Sequence, residues 1–178
     1  NVSQTFDVTA VMPDAPTIGT ATAGDGQASV SFTAPSSDGG AEITLYSVTS
    51  SPEGLTSTGS ASPLVVAGLT NGTAYTFTVT ATNAAGTGPA SAASNAVTPN
   101  ASQTISFPNP GAQAFGSTPT LTATASSGLA VSFSTQTPVC TVTAEGVLTF
   151  VATGSCTIRA DQAGNASFAA ASSVSQTF

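Results

Sequence analysis

Few side chains in this 178-residue sequence can do chemistry. They are eight carboxylates (Asp7, Asp14, Asp25, Asp38, Glu42, Glu53, Glu145 and Asp161), one cation, Arg159, the two cysteines Cys140 and Cys156, and many hydroxyls. There is no His and no Lys. A serine or threonine nucleophile needs a general base beside it, and no Gly-x-Ser-x-Gly turn presents one. Two cysteines without histidine cannot complete a four-ligand zinc site. The carboxylates are scattered, with no Asp-x-Asp spacing and no EF-hand loop, whereas a hard cation needs several converging oxygens. Calcium at a module junction through Asp7 or Asp14 is one reading; turn formation and solvation is the plainer one. Arg159 either meets a ligand carboxylate or pairs with Asp161 across a strand end. The residue types thus specify no catalytic set, no metal site and no cofactor.

Such sparse chemistry directs attention to what the rest of the chain builds. Charged residues are 5% of the sequence and the net charge is −7. A surface without basic patches cannot neutralise phosphates, which argues against nucleic acid. The same sign disfavours anionic membrane surfaces, and no apolar run reaches spanning length. Apolar residues make up 40% of the chain and they alternate, which separates it from a Gly/Ser linker. The absence of an initiator Met, a basic n-region and a signal core leads us to expect a piece of a longer mature protein.

Period-two alternation defines the elements. Ala28, Val30 and Phe32 alternate with Ser29, Ser31 and Thr33; Tyr75, Phe77, Val79 and Ala81 alternate with Thr76, Thr78, Thr80 and Thr82. Turn signals at Asp38-Gly39-Gly40, Asn71-Gly72 and Gly86-Thr87-Gly88-Pro89 separate such runs. Further on, Leu121, Ala123 and Ala125 alternate with Thr122, Thr124 and Ser126. Short strands at this spacing predict an all-β chain of sandwich type. A repeat spans the whole: Val2-Ser3-Gln4-Thr5-Phe6 recurs as Val174-Ser175-Gln176-Thr177-Phe178, an offset of 172 residues.

The runs Ala28–Pro35, Ile43–Val48 and Gly68–Tyr75, with Phe77, Val79, Ala81 and Asn83, resemble a bacterial fibronectin type III module. Phe32 stands where that family commonly has Trp. The resemblance implies that Tyr75 is its corner tyrosine, with the hydroxyl bonding back to nearby backbone. The stretch Thr137–Phe150, continued by Ala152–Ile158, is similar to bacterial immunoglobulin-like repeats of the intimin and invasin type. Cys140 and Cys156 take positions where those repeats usually have small residues. In the strands so implied, both cysteines point inward, close enough to bridge. A disulfide closing a loop of about 17 residues would contribute roughly 3 kcal/mol on the chain-entropy model; two buried thiols are the alternative.

The expected architecture is therefore two tandem immunoglobulin-like β-sandwiches: a fibronectin type III module over residues 12–99 and a bacterial immunoglobulin-like module over 100–178. Residues 1–11 read as the final strand of a preceding repeat, with Val2, Gln4, Phe6 and Val8 on one face. Its expected partner is a neighbouring copy or repeat, arranged head-to-tail. Pro99 in the linker 98–103 predicts stiffness. Tyr46 and Tyr75 sit in apolar alternation, and the phenylalanines are expected to face inward, so no aromatic platform for glycans is foreseen.

The functional expectation is a non-catalytic extracellular repeat, on a bacterial surface or beyond it, that builds a stalk, sheath or filament. The competing readings are a repeat of a large adhesin and a spacer in a secreted polysaccharide hydrolase. One consequence can be tested directly. Trypsin cleaves after Lys or Arg, and Arg159 falls in a predicted strand near the cysteines. The native protein is expected to survive prolonged trypsin treatment intact on a gel, and rapid cleavage at Arg159 would contradict that packing.

Overall fold

The computed structural model describes residues 7–178. All regular structure among them is β, and no helix occurs. The chain divides into two compact units, one ending at Asn100 and the other running Ala101–Phe178. The all-β, immunoglobulin-like sandwich class expected from alternation is the class observed.

The first unit contains β1 (Thr17–Ala23), β2 (Gln27–Thr33), β3 (Leu45–Ser51), β4 (Thr56–Gly59), β5 (Leu64–Ala67), β6 (Thr76–Asn83) and β7 (Gly86–Thr87). They form two antiparallel sheets, β1-β2-β5 and β4-β3-β6-β7. Alternate residues of β2 and β6 point between the sheets. Val30, Val48, Val66, Phe77 and Val79 are fully buried there, with Phe32 against Tyr46 at a ring-centroid distance of 4.9 Å. Burying an aliphatic or aromatic side chain of this kind contributes about 1.5–3 kcal/mol. The threonines of β6 occupy the opposite, partly solvated face, where β-branched residues suit a pleated surface.

Beyond β7 the chain runs beside β6 without forming a regular strand. Ser91 N donates to Val79 O (2.8 Å), Ser94 N to Phe77 O (2.9 Å) and Val97 N to Tyr75 O (2.9 Å). Three residues on this segment therefore match two on β6. The hydroxyls of Ser91 and Ser94 accept from Val79 N and Phe77 N, each at 3.0 Å, and so supply the acceptors that a stretched ladder lacks.

The chain enters this unit at Val11, whose N–H donates to Gly39 O (2.9 Å). Buried Asn83 fixes that entry: its amide donates to Val11 O (2.7 Å) and Asp38 O (2.6 Å), and its carbonyl accepts from Ala85 N (2.8 Å). A Cβ on Gly39 would run into Val11 O, and one on Gly88 into Pro13 O. Glycine is thus required for the backbone to approach this closely.

The second unit contains β8 (Ile105–Ser106), β9 (Thr124–Ala125), β10 (Ser132–Thr135), β11 (Cys140–Val142), β12 (Leu148–Phe150), β13 (Thr157–Asp161) and β14 (Val174–Thr177). They pair as β10-β13-β14, β11-β12 and β8-β9. Ile105, Phe107, Leu121, Leu148, Ile158 and Ala160 form its core together with the two cysteines. Gln103 is buried beside it. Its amide donates to Gln162 Oε1 (2.6 Å) and Ala169 O (2.7 Å), while its carbonyl accepts from Ser127 Oγ. Eight of the nine phenylalanines are described, and Phe115 departs from the expected inward placement: it is 63% exposed, in the turn between Ala114 and Ser117. The segment around it has no strand partner, so alternation does not determine its direction.

Tyr75 is fully buried, and its hydroxyl accepts from Thr70 N (3.0 Å) while donating to Glu53 Oε2 (2.8 Å). Tyr75→Phe would leave the Thr70 N–H without that acceptor and should cost about 1–3 kcal/mol. Both tyrosines lie in the first unit and the chain has no Trp, so the remaining fluorescence of Tyr46 reports that unit alone. Its urea midpoint should fall in the variant; an unchanged midpoint would show that the bond is dispensable.

Candidate functional site

Most of the carboxylates that could have formed a metal or acid–base site are engaged separately, each with its own partner. Asp14 Oδ2 accepts from Ser36 Oγ (3.1 Å), Asp25 Oδ1 from Asn71 Nδ2 (2.7 Å) and Asp38 Oδ1 from Gly40 N (2.8 Å). Asn71 also accepts from Gly26 N (2.9 Å), so Asp25 and Asn71 together close the end of the β1–β2 sheet. Glu145 lies in the turn between β11 and β12. A hydrogen bond from its own backbone N–H, and then one from Thr143, hold its carboxyl below the ordinary value. A depressed carboxylate favours the fold above its ordinary range and loses that contribution as pH falls through the lowered value. Among the described residues no three of His, Cys, Asp and Glu come together as metal ligands.

Arg159 is on the exposed face of β13. Its Nη2 lies 2.8 Å from Asp161 Oδ1 and donates to Ser173 Oγ (2.7 Å); Ser173 in turn donates to Asp161. The open groove beside it, about 320 Å³, is lined by hydroxyls from Ser134, Thr135, Thr137, Thr157 and Ser175. With its guanidinium engaged on the protein's own carboxylate and exposed to water, this pair is worth little energetically and offers no free charge to a ligand.

Cys140 and Cys156 are joined by a disulfide, with Cα atoms 5.9 Å apart and both residues buried. Cys140 opens β11 and Cys156 immediately precedes β13, so the bond ties the two-stranded β11-β12 pair to the β10-β13-β14 sheet. Phe178 meets the same point from the other side, since Cys156 N donates to Phe178 O (2.9 Å) and Phe178 N to Cys156 O (3.1 Å).

Of the face Val2, Gln4, Phe6 and Val8, the first three lie outside the described residues. Val8 is 96% exposed, and Asp7–Ala10 form no strand. The matching pentapeptide at the other end contributes β14, which pairs antiparallel with β13 from Val174↔Ala160 to Thr177↔Thr157.

Residues 14–97, a little under half of the chain, match the family model of the fibronectin type III domain. Domains of this family are structural modules of multidomain proteins. Comparison with curated proteins finds no sequence match. Solved structures similar to this chain include titin kinase and its flanking domains, at 27% identity over 51% of this chain and 18% of that one (TM-score 0.46). Chicken CNTN1 FN1-FN3 domains are similar at 17% identity, over 93% of this chain and 66% of that one (TM-score 0.44). The twitchin kinase region from C. elegans is similar at 22% identity over 49% and 16% (TM-score 0.44). The chain spans a third or less of the length of the first structures it resembles.

The disulfide closes a loop with a sequence separation of 16. Intact mass after thiol blocking should show no alkylated cysteine unless the protein is first reduced. Reduction should destabilise the second unit by about 3 kcal/mol and leave the first unit unchanged. Two alkylated cysteines in the untreated protein would rule out the bond.

Proposed function

We propose that this chain is a non-catalytic extracellular structural repeat, and that units of this kind, joined head-to-tail, build a stalk, sheath or filament outside a bacterial cell. The carrying observation is the pentapeptide shared by positions 2–6 and 174–178, a 172-residue offset that makes one period of a tandem array. Each unit has its own core, as a link in such an array requires. A buried disulfide suits an oxidising compartment. A polar surface built on hydroxyls, with one cation, suits a durable spacer better than a reactive site. Neighbouring copies of the same chain are the partners this reading requires, and heterologous head-to-tail contacts extend into an open polymer when their rotation does not close.

The reading is tested by electron microscopy of chains holding one, two and four periods of 172 residues. Rods whose length rises in proportion to the number of periods are expected. Compact particles, or flexible beads with no persistent axis, would count against it.

A further inference from the structure

At the end of β14, Phe178 and Cys156 exchange both of their backbone hydrogen bonds. In an antiparallel pair, a residue following Phe178 would stand opposite Ser155, and the next opposite Gly154. Side chains along a strand alternate in direction. Val174, Gln176 and Phe178 are half-buried, whereas Ser175 and Thr177 are exposed. The second position beyond Phe178 therefore points inward.

An open groove of about 210 Å³ lies where that side chain would go. Its walls include Phe115, Phe150 and Phe178 together with Ala112, Ala152 and Gly154. Phe115 is the large apolar side chain that alternation wrongly placed inside, and it stands 63% exposed on this rim. The continuation of the repeated pentapeptide is also present in the sequence: Phe6 is followed by Asp7, Val8, Thr9 and Ala10. In register with Phe178, Val8 takes the inward position, and Asp7 and Thr9 take the outward ones. Polar and apolar types thus fall on the sides that the alternation demands. Where Val8 is seen, at the start of this chain, it is 96% exposed and covered by nothing in its own unit.

We propose that the Phe115–Phe150–Phe178 groove is the docking surface for Asp7–Ala10 of the following copy, which prolongs β14 and buries Val8 in the groove. Among the described residues, the first hydrogen bond of that copy to its own sandwich is at Val11, beyond the four residues that dock. This inference rests on the head-to-tail reading above and names the surface through which it acts.

The test appends Asp-Val-Thr-Ala after Phe178 of the full chain and follows unfolding by calorimetry. The transition that responds to reductant identifies the second unit. The extension should raise its Tm by about 5 °C or more. The same extension with Asp in place of its Val should give no rise. Phe115→Ser should abolish the rise in the extended chain while leaving the unextended chain where it was, as expected for an exposed residue. An equal Tm with the Val extension, the Asp extension and no extension would overturn the proposal, as would a rise that survives Phe115→Ser. If rods still form in the microscope while the Val extension has no effect, the groove assignment fails and the stacking reading stands. If the Val-dependent rise occurs but tandem chains are flexible beads, the groove assignment stands and the rod fails.

Discussion

A polypeptide with a single cationic side chain draws the side-chain partners of its irregular backbone mostly from hydroxyls and amides, and that constraint shapes both units. At several breaks in a ladder a short side chain completes it. Ser31 accepts from Thr20 N (2.8 Å) and donates to Thr20 O (3.0 Å) at the irregularity between β1 and β2. Ser62 accepts from Phe32 N (2.9 Å), and Ser50 from Leu55 N (2.9 Å). Among the described residues no buried side-chain nitrogen or oxygen lacks a partner. Neutral bonds of this kind contribute only about 1 kcal/mol each, but leaving the group unpaired would cost more. The abundance of Ser and Thr is in this sense architectural as well as solubilising.

The two units reach stability by different routes. In the first, strands of seven or eight residues carry most of the pairing, and twelve residues form a continuous buried cluster. In the second, strands run from two to five residues, and the cluster of buried residues is smaller. Short ladders bury little surface, and small domains gain the most from covalent staples. The disulfide staples one such short ladder, the β11-β12 pair, to the larger sheet.

The sandwich class was legible because β2 and β6 alternate without interruption over seven and eight residues, which is the period of a half-buried strand. The segment from Gly88 to Val97 was not legible. Its residues advance three for every two of β6, so no period-two signal exists; the only trace is the spacing of Ser91, Ser94 and Val97. Gln103 could not be foreseen either, because its partners, Gln162 and Ala169, lie about sixty residues away in sequence and are brought near only by folding. Phe115 was misplaced because hydrophobicity alone does not orient a side chain outside a ladder. The cysteines were readable as a pair because the strands that the immunoglobulin-like resemblance implies put both on inward positions. Asn83 was visible as part of a resemblance, but its work as the clamp on Val11 and Asp38 depends on loops whose approach the sequence does not reveal.

The covalent bridge also governs what happens under tension. When the chain is pulled from its two ends, load entering at Cys140 passes through the sulfurs to Cys156, and the turn and strand between them carry none of it. Even after the second unit has come apart, those residues cannot be paid out as slack. At the reach of an extended chain this withholds about 50 Å of length. The first unit has no such shortcut and can surrender its whole contour. A fibre of alternating units would then lengthen unevenly, with compliant and length-limited links in strict succession.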